Sequence, residues 1–400
     1  MFQPLQGIKV VDLSQILAGP FATYQLGLMG AEIIKVEQPG AGDWTRRGEA
    51  RPGGAETDLG LAYLTQNAGK RSVTLDLKSE EGLGLAKRLI EGADIFVENF
   101  KPGVAARLGL SFEAVRQINP TIVYCSISAY GQDGPIGHRP AYDHVVQGMC
   151  GIMRTTGTPE TEPNKVGAPY VDYATGMNAS LAMVSALHEA KRTGAAVQVD
   201  VAMLDTALIL MASLMTKHLT TGWRPGAYGN EAWSQSPSSG AFETADGTLM
   251  IAANNERQFK ALCHGLGRAD LLDDPRFHDA ASVRENATQL RQVLAAIFET
   301  APADDWEARL DRAGVPAARI RHLHEVLAED QAKARQISAA IEMPGGGTAV
   351  HVPTLGFKAN GAAVGPAAPP PQLGQDTGEV LREIGLSADE IEDLSGRGII

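Results

Sequence analysis

Asp172 stands at the head of a helix-patterned stretch, in Val-Gly-Ala-Pro-Tyr-Val-Asp-Tyr-Ala-Thr-Gly (166 to 176). From Ala174 to Leu187 the residues Met177, Leu181, Val184 and Leu187 fall on one face, the period of an amphipathic helix. A carboxylate just before such a helix faces unpaired N–H groups and the positive end of the dipole. That setting favours the ionised form, which a carboxylate nucleophile needs. The same placement also describes an N-cap.

A second set of residue types suits an anionic ligand. Lys70-Arg71 precede the β-rich run Ser72 to Leu77. Asn99-Phe100-Lys101-Pro102-Gly103 follow the run Ile95 to Val97, at a strand C-terminal end, where open α/β sheets bind ligands. Arg107 comes about one helical turn later. Together these could supply phosphate-binding cations and an aromatic platform. Each alone also fits a solvated charge or a turn.

Other chemistries lack their residues. The turn after the first strand reads Ser-Gln-Ile-Leu-Ala-Gly-Pro-Phe-Ala, with one glycine, and Pro20 removes an N–H, so a dinucleotide fingerprint is missing. No Gly-x-x-x-x-Gly-Lys-Ser/Thr, His-Glu-x-x-His or Gly-x-Ser-x-Gly occurs. His322 and His324 alternate without further ligand spacing and read as surface residues, so no metal site is expected. Cys125, Cys150 and Cys263 are widely spaced, which suggests reduced thiols in a cytoplasmic protein, Cys125 being strand core.

The elements that position these residues follow from short β-rich runs alternating with helix patterns. Ile8 to Leu13 reads as a strand, followed by a Gly19-Pro20 turn and a helix from Phe21 to Met29. Further strands are Ala31 to Val36, Ser72 to Leu77, Ile95 to Val97, Ile122 to Ile127 and Val197 to Val201. Ser79 caps a helix running to about Glu91, and a long apolar helix spans about Met203 to Met215. This alternation predicts an α/β fold with a mostly parallel sheet. Thr220 to Gly240, rich in Gly, Ser, Pro and Trp, reads as a linker. Ala241 to Ala253 is a hairpin turning at Asp246-Gly247. Helices from Arg257 to Leu266, Ser282 to Thr300 and Ala303 to Ala313 complete a smaller α+β region. Strand-like runs lie around Pro344-Gly345-Gly346-Gly347, and a Pro-rich link leads to a terminal helix.

Bulk properties narrow the function classes. The 400 residues suffice for about two or three domains, and 44% apolar with 20% charged content is ordinary for a soluble globular chain. A net charge of −12 argues against nucleic-acid or anionic-membrane binding, which need a basic face. No apolar run is long enough for a membrane span, and the N-terminus has no signal-peptide pattern.

Taken in order, several segments resemble the class III CoA-transferase family, which includes carnitine CoA-transferases, formyl-CoA transferases and alpha-methylacyl-CoA racemases. They include Val-Val-Asp-Leu-Ser with Leu-Ala-Gly-Pro (10 to 20), Ile-Lys-Val-Glu (34 to 37), Gly69 to Val73, Val97 to Gly103, Ser128 to Pro135, Arg139 to Asp143, Asp274 to Phe277 and Gly314 to Pro316. The resemblance implies an interlocked, ring-like homodimer. Each chain would have a large Rossmann-like CoA-binding domain (1–219 plus 330–400), a linker (220–240) and a small α+β domain (241–329). It maps the nucleophile onto Asp172 and CoA contacts onto Ile16, Gln38, Lys70, Arg71, Asn99, Phe100, Arg107, Tyr142 and Met203. Coenzyme A and its thioesters would be substrates, with a small carboxylate acceptor and no tightly bound cofactor.

The implied reaction proceeds through a mixed anhydride and an aspartyl-CoA thioester on Asp172. The stretch Ser234-Gln235-Ser236-Pro237-Ser238-Ser239-Gly240 departs from the glycine loop of some formyl-transferring members. Leu17 stands where oxalate- and formate-handling members carry Gln. Both departures point to a larger acid, such as a C4 or C5 dicarboxylate like succinate. A racemase or other acyl-CoA isomerase needs two bases, and Tyr142 replaces the His of the racemases. A Tyr with its ordinary pKa near ~10 is a poor base. Glu256, where racemases also carry Glu, points the other way. A non-catalytic acyl-CoA-binding subunit is the third reading.

Overall fold

The computed structural model describes residues 2–49, 59–343 and 348–400; the glycine run at 344–347 lies outside the described residues. The chain divides into a large unit (1–153, 165–225 and 333–400) and a small unit (154–164 and 226–332). The segment 154–164, which joins the small unit, carries no sign of this in its sequence.

The large unit is built on six strands: β1 (Lys9–Asp12), β2 (Glu32–Glu37), β3 (Arg71–Thr74), β4 (Ile95–Glu98), β5 (Val123–Ser128) and β6 (Val197–Ala202). All neighbouring pairs are parallel, in the order β3-β2-β1-β4-β5-β6. This is the doubly wound Rossmann order, and it places a switch point between β1 and β4. The central strands are buried on both faces, Val10 and Val11 alike, as helix-covered parallel strands must be.

The helices of this part are α1 (Ala18–Leu28), α2 (Leu61–Asn67), α3 (Glu80–Glu91), α4 (Val104–Arg107), α5 (Phe112–Ile118), α6 (Asp143–Cys150), α7 (Tyr170–Thr193), α8 (Met203–Leu210) and α9 (Ala212–Thr221). Ser79 caps α3, its hydroxyl accepting from the Gly82 N–H at 3.0 Å. The predicted helix at 203–215 divides at Met211, where the backbone leaves helical geometry.

Two corrections concern α7. The helix begins at Tyr170, so Asp172 is its third residue and not the residue before it. The predicted apolar face is also rotated. Met177 and Leu181 are 60% and 67% exposed, whereas Gly176, Ala179, Ser180 and Met183 are buried. Close packing on α1 explains the choice of small residues. A Cβ on Gly176 would lie 2.8 Å from the Ala18 carbonyl oxygen, so only glycine permits this approach.

In the small unit, β7 (Gly240–Glu243) and β8 (Thr248–Ile251) form the predicted hairpin. The helices α10 (Glu256–Leu266), α11 (Ala280–Glu285), α12 (Ala287–Phe298) and α13 (Ala303–Arg312) follow, and β9 (Ala317–Arg319) pairs with β8. The predicted single helix at 282–300 is thus broken, at Asn286. β9 was not foreseen, because three residues are too few to show alternation. Leu249, Leu262, Phe298 and Trp306 form its core, with the Trp306 indole N–H donating to the Phe298 carbonyl at 2.8 Å.

The rest of the chain supplies α14 (Leu323–Ala328), α15 (Asp330–Arg335), the paired strands β10 (Ser338–Ile341) and β11 (Val350–Pro353), and the helices α16 (Thr377–Glu383) and α17 (Ala388–Gly396). Two terminal helices therefore replace the predicted one. β3 is an edge strand, and its outward N–H groups are covered by this tail. Ser72 N–H donates to the Asp376 carboxylate at 2.8 Å, and Thr74 N–H donates to the Thr377 hydroxyl at 3.0 Å. Among the described residues no helix is long and apolar enough to cross a membrane.

Candidate active site

The loop after β1 and the loop after β4 meet at the switch point. Gln15 N–H donates to Asn99 Oδ1 at 2.9 Å, and Asn99 Nδ2 donates back to the Gln15 carbonyl at 2.7 Å. The next residue, Ile16, has φ +75°. A β-branched residue rarely adopts that conformation, at a cost of about 1–3 kcal/mol, so its surroundings must impose it. Ile16 N–H donates to the Asp43 carboxylate at 3.2 Å, and its carbonyl accepts from Gln66 Nε2. Gly19 lies in the first turn of α1, not in the expected turn before the helix, and packs on this loop: a Cβ there would sit 2.3 Å from the Ser14 Cβ.

Beneath these loops lie six buried charged side chains, Asp12, Lys35, Glu37, Asp43, Arg46 and Lys70. Three are acidic and three basic, so the group is neutral overall. Lys35 Nζ lies 2.9 Å from the Asp43 carboxylate and donates to the Ser14 carbonyl at 2.7 Å. Arg46 forks onto Glu37 at 2.7 and 2.6 Å. Burial alone would raise the Asp43 pKa, but Lys35 and the Thr45 hydrogen bonds outweigh it and hold the carboxyl below its ordinary value.

The expected CoA-contact residues fall in different places. Lys70 is only 5% exposed; its ammonium is 3.1 Å from Asp12 and donates to the Thr23 hydroxyl at 2.7 Å. Arg71 opens β3, where Glu32, Glu379 and Glu383 hold its guanidinium at 2.6 to 3.0 Å. Gln38 is exposed just beyond the C-terminal end of β2. Phe100 is half-buried, and its N–H donates to Glu98 at 2.7 Å. Burial pushes the Glu98 carboxyl up to about 7. Arg107 ends α4, exposed and without an ion pair among the described residues.

Asp172, Tyr142 and Met203 gather at the start of α7. The carboxylate that serves the first N–H groups of this helix is Asp143, at the start of α6. One of its oxygens accepts from Val171 N–H at 2.7 Å and Asp172 N–H at 3.0 Å, and the other accepts from Gln147 Nε2. Exposed Tyr142 immediately precedes it, and Met203 is buried against this helix start with Val146 and Val171. Gly176, about one turn beyond Asp172, touches the start of α1, so the nucleophile candidate and the Ile16 loop belong to one corner of the large unit.

The electrostatics of Asp172 differ from the expectation that the helix end keeps it ionised. Its carboxyl is half-buried and has no hydrogen-bond or ion-pair partner among the described residues. Burial pushes its pKa up to about 7, and the nearby Asp143 carboxylate adds to the rise. The helix N–H groups that would have favoured ionisation are used by Asp143.

Asp143 and Gln147 escaped the sequence reading, although Asp-x-x-x-Gln is an i, i+4 pair on one helix face. Lys35 and Glu37 were signalled only as charges inside an apolar strand run. Asp143→Asn would remove a negative charge beside Asp172 while keeping an acceptor for the helix N–H groups. Turnover that needs ionised Asp172 should then begin to rise at lower pH than in the parent, as a pH–rate profile would show. An unmoved profile would mean that burial alone sets the Asp172 pKa.

A doubly wound sheet with a strained, clamped loop at its switch point and an unpartnered carboxyl beside it defines an α/β enzyme site suited to carboxylate chemistry. The chain belongs to CoA-transferase family III, whose family model matches residues 5–377, and it is a CoA-transferase. It is 34% identical over 400 residues to the succinyl-CoA:glutarate CoA-transferase of Mus musculus, covering all of this chain and 90% of that protein. It is 36% identical over 384 residues to the succinate–glutarate CoA-transferase of Agrobacterium fabrum, covering 95% and 96% of the two chains. A crystal structure of a CAIB/BAIF family protein from Brucella suis superposes with a TM-score of 0.83 at 34% identity, covering 96% of this chain and all of that one.

Proposed function

We propose that the protein moves coenzyme A from succinyl-CoA to a second carboxylic acid through covalent intermediates on Asp172. The donor follows the two named relatives, both of which handle succinyl or succinate groups. The observation that carries the mechanism is the half-buried, unpartnered Asp172 carboxyl with its pKa raised to about 7. A carboxylate without a cation or donor is poorly solvated and correspondingly nucleophilic, and a pKa near neutrality leaves a substantial share ionised.

Asp172 attacks the thioester carbonyl, giving a mixed anhydride and CoA thiolate. The thiolate attacks the Asp172 acyl carbon, forming an aspartyl-CoA thioester and releasing the donor acid. The acceptor carboxylate attacks that thioester, regenerating an anhydride and the thiolate. Attack of the thiolate on the acceptor's acyl carbon yields the new acyl-CoA and free Asp172. Every step exchanges one acyl bond for another, so the thioester's free energy is retained, provided water is kept out.

In this reading Ile16, Gln38, Asn99 and Phe100 border the CoA path at the strand ends, and Arg107 offers its free guanidinium to a phosphate. Tyr142 and Met203 border the acyl end. Lys70 and Arg71 act indirectly, holding the loop and the sheet edge. The exposed Met177, Leu181, Ile209 and Leu219 are the apolar surface that a second copy would cover in a homodimer, interlocked as the family resemblance implies.

Peptide mass spectrometry after quenching a reaction with succinyl-CoA within seconds tests the mechanism. The expected result is a succinyl- or CoA-sized adduct on the peptide containing Asp172. Intact CoA binding without any adduct, together with deuterium exchange at the alpha carbon of a branched acyl-CoA, would replace this reading by the racemase one.

A further inference from the structure

Glu98 is a buried acid that the proposed mechanism does not use, yet it touches the loop assigned to coenzyme A. It ends β4, is only 3% exposed and has no ion pair among the described residues. Burying a carboxyl without a cation is costly, and its hydrogen bonds show what it holds. Asn99 ties the loop after β4 to Gln15. Pro102 has no N–H to give, and Val104 N–H closes the turn onto the Lys101 carbonyl at 3.0 Å. The Phe100 N–H goes to the Glu98 carboxylate at 2.7 Å.

Titratable groups face Glu98 from each element packed around it. Tyr124 and Cys125 of β5 feel its charge, though the Tyr124 hydroxyl donates elsewhere, to the Leu110 carbonyl at 2.8 Å. Glu113 of α5 and Lys101 of the loop share with it a cavity of about 130 Å³. Burial pushes the Glu98 carboxyl up to about 7 against the pull of the Ser126 hydroxyl and the Phe100 N–H, and Asp200 of β6 adds to the rise. The cavity gives water a route to the carboxyl, so it exchanges its proton without unfolding.

A hydrogen bond to an ionised acceptor is about twice as strong as one to a neutral acceptor. We propose that Glu98 is a positioning residue for coenzyme A: its ionised carboxylate holds the Phe100 N–H and fixes the loop that borders the CoA path, and protonation loosens that hold. This role rests on the reading of Asn99 and Phe100 as CoA neighbours. It gives CoA binding a dependence on pH that is separate from the ionisation of Asp172.

Glu98→Gln separates charge from shape, because the amide keeps an acceptor for the Phe100 N–H but does not ionise. Calorimetry gives the CoA dissociation constants of parent and variant at pH 6 and pH 8.5. Their ratio at one pH cancels the titration of the CoA phosphates and of Asp172, which both proteins share. The variant is expected to match the parent within about twofold at pH 6 and to bind CoA about fivefold more weakly at pH 8.5. Hydrogen exchange of the 99–107 peptide without CoA should follow the same pattern, faster in the variant at pH 8.5 only. The parent alone repeats the test should the variant not fold: protection of this peptide, corrected for the intrinsic effect of pH, should rise from pH 6 to pH 8.5. A ratio or a protection that ignores pH overturns the proposal, since a purely structural carboxyl would shift both pH values alike. Transfer from succinyl-CoA onto Asp172 is followed separately. Transfer with a flat ratio sinks the role of Glu98 alone, whereas a parent that binds no CoA sinks the site reading and this role with it.

Discussion

Replacing Asp172 by Asn is expected to lower CoA transfer by about 10³-fold or more while making the protein more stable at neutral and alkaline pH. The loss follows from removing the nucleophile, for which an amide is no substitute. The gain follows from the raised pKa. In the folded chain the Asp172 carboxyl titrates at about 7, against an ordinary value of 3.8. The folded state thus binds this proton more tightly than the unfolded chain does. Its contribution to stability is fully present below about pH 4 and is lost as pH rises to about 7. Asn does not ionise and loses nothing over that window. At about 1.36 kcal/mol per pKa unit the ceiling is ~4 kcal/mol, and solvent screening of a half-buried group reduces it to about 1–3 kcal/mol. Urea denaturation at pH 5 and pH 8 checks this: the advantage of the variant over the parent should be larger at pH 8. An equal difference at both values would mean that Asp172 has an ordinary carboxyl pKa, and the mechanistic argument from its burial would fall. Stability sacrificed at a reacting group is a common feature of enzyme sites.

The sheet was largely legible in the sequence because its strands are apolar runs separated by helix periods and clear punctuation, as at Ser79, which caps α3. Asp172 was legible as a residue but not in its electrostatics. The sequence shows an acid at a helix start; it does not show that Asp143, 29 positions earlier, takes the helix N–H groups. Lys70 illustrates the same difficulty. A Lys-Arg pair before a strand reads as surface charge, whereas folding turns Lys70 inward to Asp12 and Arg71 to a helix about 310 residues away. The exposed face of α7 misled for a different reason. Large apolar residues usually mark the buried side, but here α1 approaches α7 so closely at Gly176 that a Cβ has no room, and Met177 and Leu181 face outward.

The buried charges beneath the switch point should separate stability from ligand binding. Lys35→Met is expected to destabilise the protein by about 3–5 kcal/mol, because it leaves Asp43 buried without its cation and the Ser14 carbonyl without its donor. Adding Asp43→Leu should recover only the part of that loss due to the unpaired carboxylate, because the Ser14 carbonyl stays without its donor and the Ile16 and Thr45 N–H groups lose their acceptor. CoA binding should not recover with it. The Asp43 carboxylate is what receives the Ile16 N–H and so keeps Ile16 at φ +75°. Without it the backbone relaxes toward an ordinary conformation, and the loop facing the switch point changes shape. The double variant should therefore unfold at a higher denaturant midpoint than Lys35→Met alone, while its KM for the acyl-CoA stays about tenfold or more above the parental value. If stability and KM return together, the charge network serves the core alone, and the conformation of Ile16 has another cause. If stability returns without KM, the ion pair is retained for the loop it shapes, at the strand ends between β1 and β4 where the order of strands opens a crevice.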